Sequence, residues 1–270
     1  MRNQLRRLLP ISLLAVACLY TYRLEAPETT HTYTAAGITG LNATTQNGAI
    51  SVTTSNDSVI TVGVLKYAYG RNKADAEKAI ANVVFSDTIV GHELGVKAET
   101  PSGSRPYGAS LNINARESTD LSLSTTNGDV SVTNMVGHIN ASTSNGNVEL
   151  TGTTGTDSVS TTNGSLTVSV HSGGIEGATT NGAVDCDLAA LGATDSVGLA
   201  TTDGKVTLLL PEDVSALIDA TNTTGLITIY DYTVIYEVQT DHHIQGRIGS
   251  GASSITITTT DGDVVVRRRS

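Results

Sequence analysis

The sequence predicts an all-β chain, a single-chain parallel β-helix or β-solenoid with coils of about 18 residues and one short helical insertion. Three observations carry this. A Thr-Thr-Asn-Gly motif recurs at a fixed period, apolar residues alternate on both sides of it, and bulky core residues are scarce. The 270 residues include no Trp and one Phe, and aromatics make up only 4% of them. A hydrophobic content of 39% with 16% charged residues still argues for a folded chain rather than a disordered one.

The period is read from the turns. TTNG begins at Thr125, Thr161 and Thr179, and TSNG at Thr143, so Asn127, Asn145, Asn163 and Asn181 follow one another at intervals of eighteen. TTDG at Thr201 and Thr259 places Asp203 and Asp261 in the same role. Weaker copies surround Asn47 and Thr224. Three residues after each Asn stand Ile50, Val130, Val148, Leu166, Val184 and Val206, and two further on stand Val52, Val132, Leu150, Val168, Cys186 and Leu208. The positions four and six before the Asn are mostly aliphatic too, with Asp157 an exception. Each coil thus reads as two half-buried strands flanking an Asn-Gly turn.

Asn-Gly between alternating strands is also a hairpin signal, so an antiparallel meander competes locally. The constant period favours stacking. Equal coils place identical side chains about 4.8 Å apart, which a meander does not need. One coil offers about four inward aliphatics worth roughly 1.5–3 kcal/mol each, against roughly 1–2 kcal/mol of backbone entropy per residue, so coils must support one another. The Thr two before each Asn (Thr45, Thr125, Thr143, Thr161, Thr179, Thr201, Thr259) faces inward by parity. There its hydroxyl can bond along the stack. The Asn47, Asn127, Asn145, Asn163, Asn181, Asp203, Asp261 ladder is accordingly read as structural.

Two segments break the period. An insertion spans about 66–120. It carries a short helical pattern with Asn72 as N-cap and Ala76, Ala79, Ile80 and Val83 on one face, then a Pro/Gly loop from Glu99 to Gly108. The second break, between Thr224 and Asp261, holds Tyr230, Tyr232 and Tyr236 and then Asp241-His242-His243. Arg267, Arg268 and Arg269 close the chain, where they are expected to cap the last coil.

At the N-terminus, Arg2, Arg6 and Arg7 precede an apolar run from Leu8 to about Tyr20. It is too short to span a bilayer and reads as an export signal over residues 1–18, followed by a single domain at 30–268. Ala15-Val16-Ala17-Cys18 suits either plain cleavage or lipidation of Cys18, with an uncleaved anchor as a third course. The expected address is the cell envelope, lipid-anchored or periplasmic, or the secreted fraction. Cys186 is expected to be a buried small hydrophobe, with no disulfide framework and no zinc spacing.

Together the serial TTNGxVxV copies, the early copy at Asn47, the strand and short helix over Val62 to Val83, Leu208 to Asp213 (LLLPED) and the closing Gly249 to Arg267 carry a likeness. The chain resembles the bacterial "putative adhesin" β-helix family, a domain of unknown function. The resemblance implies a parallel β-helix in the cell envelope, and it brings no catalytic residues with it.

Composition excludes some functions directly. The net charge is −10, and no Lys or Arg occurs from Glu117 to Gly204, so no nucleic-acid groove is expected. A carbohydrate-active solenoid would need paired carboxylates, and the best pair is Glu149 with Asp185, two coils and about 10 Å apart. Both read more simply as solvated surface acids. The turns lack the Asp and Gly pattern of calcium-binding solenoids. Asp231 with Asp241, His242 and His243 is a poor metal set, because adjacent residues in a strand point to opposite faces. Outward pairs such as Ser124/Thr126 and Ser142/Ser144 make an uncharged stripe that also suits ice binding. Tyr230 and Tyr232, outward by parity, are a candidate contact patch. The reading is therefore a non-enzymatic binding or structural module with no cofactor, whose partner is an envelope or surface protein or glycan, and which is attached to the membrane through Cys18 where the lipidation course applies. Its alternatives are a carbohydrate-active enzyme or an ice-binding solenoid.

Overall fold

The computed structural model describes residues 21–101 and 106–269. Cys18 and the export signal lie outside them. The chain forms a parallel β-solenoid whose coils stack in strict register. Val130, Val148, Leu166 and Val184 are successive partners in one ladder, and Leu121, Ile139, Asp157 and Ile175 in another. The inward aliphatics of all these strands form one continuous buried core.

The Asn-Gly turn sets how closely the coils approach. A methyl group built on Gly146 would overlap the carbonyl oxygen of Gly128, and one on Gly164 would overlap that of Gly146. Glycine is needed there for the approach itself. The same carbonyls accept a hydrogen bond from the buried threonine of the next coil: Thr143 Oγ1 to Gly128 O is 2.9 Å, and Thr161 to Gly146 and Thr179 to Gly164 are each 2.8 Å. Outside them, each Asn amide donates to the preceding Asn. Asn127 bonds Asn47 at 2.6 Å, Asn145 bonds Asn127 at 2.8 Å, Asn163 bonds Asn145 at 2.9 Å, and Asn181 bonds Asn163 at 2.7 Å. Asp203 and Asp261 continue the column in register. An ionised carboxylate has no proton to donate, so the amide chain stops at Asn181.

Sequence order and spatial order diverge at both ends. The strand Gly40–Asn47 lies between Glu93–Glu99 and Asp120–Asn127. Likewise Ile50–Thr54 lies between Tyr107–Ala115 and Val130–Thr133. The segment expected as an insertion over 66–120 therefore supplies the outermost coil itself. Among the described residues of this segment, Lys73–Ile80 alone is an α-helix. Its N-cap Asn72 accepts from the Asp75 amide at 3.0 Å, and Ala76 and Ala79 are buried. This helix packs on Val59–Gly70 and Tyr22–Glu25, which close that end antiparallel.

At the other end the last copy in the sequence is not the last coil in space. Ser253–Asp261 is inserted between Ser196–Asp203 and Ala216–Thr224. The turn chemistry accounts for this. An interior coil needs the full turn set, and Thr259 Oγ1 reaches Gly204 O at 3.1 Å. The Ala216–Thr224 copy has Asn222 where the threonine should be, and its amide lies 3.4 Å from Gly262 O. It takes the outer place, where the antiparallel hairpin Val234–Gln239 and His243–Ile248 covers it. The terminal arginines consequently flank interior coils, and the expectation that they cap the stack does not hold. Arg268 pairs with Glu212 at 2.9 Å and Arg269 with Asp187 at 3.0 Å.

The inward and outward assignments can be separated by mutation. Val148 is 1% exposed and Thr162 is on the surface. Val148→Asp buries an unpaired charge and is expected to cost at least about 3 kcal/mol in urea unfolding. Thr162→Lys should stay within about 0.5 kcal/mol of the parent. Equal tolerance at both positions would contradict the register.

Candidate binding face

Three concavities lie in line along the outer face of the ladder that runs through Gly40–Asn47 and Ser253–Asp261. The first encloses about 620 Å³ and is lined by Thr39, Val90, His92, Glu93, Asp120, Ser122, His138, Asn140 and Ser158, among others. The second, about 450 Å³, shares Ser158 and adds Glu176, Ala178, Gly198, Ala200 and Thr256. The third, about 290 Å³, shares Ser254 and Thr256 with the second and adds Asp219, Glu237 and Gln245. Together they form one trough along the stack.

Its floor follows from the repeat. Positions three and five before the turn residue point outward, and in successive coils they carry Ser122 and Ser124, Asn140 and Ser142, Ser158 and Ser160. Their short side chains leave the face open. The trough displays hydroxyls, amides and the carboxylates of Glu93, Asp120, Glu176, Asp219 and Glu237, and no Lys or Arg lines it. Two histidines border the first concavity and are held by the backbone. His92 Nδ1 lies 2.6 Å from Gly37 O, and His138 Nδ1 lies 3.2 Å from Thr156 O. Asp120 Oδ1 accepts from the His138 amide at 2.9 Å.

The residues singled out from sequence are scattered over other surfaces. Glu149 and Asp185 stand in one column with Thr167 between them, on a ladder other than the one that carries the trough. Tyr230 is 52% exposed, whereas Tyr232 is half-buried and donates its hydroxyl to the carbonyls of Leu210 and Pro211, each at 2.8 Å. The expectation that both point outward fails because Asp231 between them adopts φ 67°, which breaks the alternation. Burial pushes the Tyr232 hydroxyl up to about 12. His242 contacts Asn222 at 2.9 Å and His243 contacts Asp219 at 3.1 Å, so the two rings diverge. Among the described residues no three His, Cys, Asp or Glu side chains are placed to share a metal ion. The Cys186 thiol is buried, which raises its pKa strongly.

Sequence reasoning missed the trough, because it singled out the outward columns one and three before the turn and passed over the column five before it. It also drew no consequence from Asp157, the exception in an apolar column. Asp157 and His171 are both fully buried, with His171 Nδ1 3.4 Å from Asp157 Oδ2 and 2.9 Å from Thr153 Oγ1. Val170 at φ 57° turns His171 inward, in the column position of Gly152 and Asn134, which are also left-handed. The available signal was the polar residue itself in an otherwise aliphatic column.

Across residues 25–267 the chain matches the family described as Toastrack DUF4097. It belongs to that family, a domain of unknown function. Among solved structures, this Toastrack chain is similar to a "putative adhesin" from Bacteroides fragilis, at 12% identity, TM-score 0.48, and coverage of 89% of this chain and 97% of that one. It is similar to a "putative cell adhesion protein" from Clostridium sporogenes at 14% identity and TM-score 0.37, covering 90% and 99%. A "putative lipid binding protein" from Parabacteroides distasonis shares 11% identity at TM-score 0.33, covering 88% and 96%. No curated protein matches the chain. Among the described residues no helix is long and apolar enough to cross a membrane.

The buried pair gives a pH signature. Burial drives the Asp157 carboxyl above its ordinary range, and the nearby His171 ring pulls it back only in part. A carboxyl raised in the folded state favours folding most below its unfolded value of about 4, and that contribution is lost as pH rises through the folded value. Asp157→Asn keeps the shape and removes the titration. Its stability relative to the parent, from urea midpoints between about pH 3 and pH 8, should increase with pH. A relative stability that falls as pH rises would contradict the assignment.

Proposed function

We propose that this Toastrack chain is a non-enzymatic binding module of the bacterial cell envelope that holds an extended surface polymer, glycan or peptide, along its trough. The observation that supports this is the continuity of three concavities over one uncharged-to-acidic face. A long, shallow site suits a chain-like ligand better than a small molecule, which calls for an enclosed pocket. Carboxylates and hydroxyls without a basic partner favour neutral or amine-bearing polymers and repel phosphate or sulfate. Neither Glu149 nor Asp185 lines this trough, which counts against the hydrolase alternative. The ice-binding alternative is disfavoured by the acids along the trough.

Cosedimentation of the labelled chain with isolated bacterial cell walls tests the face. Asn140→Arg fills the first concavity with a bulky cation and should weaken binding at least tenfold, and dextran sulfate should not compete. Undiminished binding by Asn140→Arg would remove the trough from the reading.

The envelope address rests on the export signal. Full-length protein is expected in the membrane fraction with a diacylglycerol-sized mass at Cys18, and Cys18→Ser should release it. A soluble mature form beginning at Cys18 would replace the lipid anchor with a free periplasmic or secreted module.

A further inference from the structure

The trough-bearing ladder ends in two open edges. At one end Val84–Val90 pairs only with Glu93–Glu99, and at the other Val234–Gln239 pairs only with His243–Ile248, among the described residues. Unpaired strand edges present rows of free N–H and C=O groups, and proteins usually guard them with Lys or Pro. Neither strand contains Lys, Arg or Pro. Both expose large apolar side chains instead: Ile89 is 54% and Val90 72% exposed at one edge, and Ile235 is 56% exposed at the other.

The two edges are complementary in direction. Glu93–Glu99 runs parallel to the coil strands, so Val84–Val90 runs against them. His243–Ile248 runs against the coil strands, so Val234–Gln239 runs with them. A second copy placed in the same orientation along the stack therefore meets the first in antiparallel pairing, the more stable arrangement.

They are complementary in register as well. A bulge follows Tyr236, leaving Val234, Ile235 and Tyr236 as the regular segment. Set opposite Ile89, Thr88 and Asp87, these residues match face to face. Thr88 shares a face with Val90, which lines the trough, and Ile235 lies opposite Arg247, which shares a face with the trough-lining Gln245. On the other side, Val234 packs against the core and Phe85 stacks on His31 at 4.4 Å. Asp87 and Glu237 do not face one another in this register. A two-fold pairing of Val84–Val90 with itself would instead set Asp87 against Asp87, which is unfavourable.

We propose that the chain assembles head to tail with copies of itself, Val84–Val90 of one molecule pairing with Val234–Gln239 of the next. Such a heterologous contact does not close by two-fold symmetry and extends into a filament or ring. The pairing stands on the edges alone and does not depend on what the trough binds.

Complementation by two blocked variants tests it. Sedimentation velocity on the full chain over roughly 10–300 µM suits so small an interface. The parent should grow in mass with concentration. Ile89→Lys and Ile235→Lys each block one edge, and each alone should stay monomeric, with association weakened at least tenfold. Mixed in equal amounts they should form a dimer, since each supplies the edge the other lacks. Circular dichroism confirms folding; Val90→Lys and Tyr236→Lys replace any variant that misfolds. A parent monomeric throughout the range would overturn the proposal, as would one variant dimerising alone. Association unchanged in both variants would also overturn it, because it would place the contact elsewhere in the chain.

Discussion

The close approach of one coil to the next at the Asn-Gly turn is the constraint on which the rest depends. A glycine carbonyl sits where the next coil's glycine would otherwise carry its side chain, and the buried threonine hydroxyl of that next coil takes up the carbonyl. With steric fit and hydrogen bond made at the same atom, the register has little freedom. A one-residue slip would turn every inward aliphatic to solvent. The Asn amide column reinforces the same spacing from outside.

That spacing also shapes the face opposite the core. Because each coil repeats its neighbour, outward Ser and Asn side chains line up in columns, and their small size leaves a trough rather than a packed surface. On the proposed reading, binding is distributed along this face, and the acids Glu149 and Asp185 stand in a separate column. A head-to-tail stack would align successive troughs and multiply weak contacts to a long ligand.

Besides the threonine ladder, the core holds a polar cluster. Asp157, His171 and Thr153 meet inside it, held by a left-handed Val170. A β-branched residue in that conformation is strained. The same column position is held in the two preceding coils by Asn134 and Gly152, types that accept it readily.

Much of the architecture was legible without coordinates. The eighteen-residue period, the parity of the aliphatics and the helix cap at Asn72 are local patterns, each written in residues close together in the chain. Such patterns have a direct physical reading, because alternation and turn chemistry act over a few residues. Spatial order at the ends is a different matter. Which copy stands next to which is a competition among similar edges, and Thr259 wins the place beside Gly204 over Asn222 by tertiary hydrogen bonding. The trough depends on side chains from coils eighteen or more residues apart, and on His92 and Val90 arriving from a segment that looks like an insertion. Tyr232 turns inward because of one backbone torsion at Asp231. Coil-forming potential thus lies in the sequence, whereas the order of the end coils, the shape of the outer face and the two open edges arise only when the whole stack closes on itself.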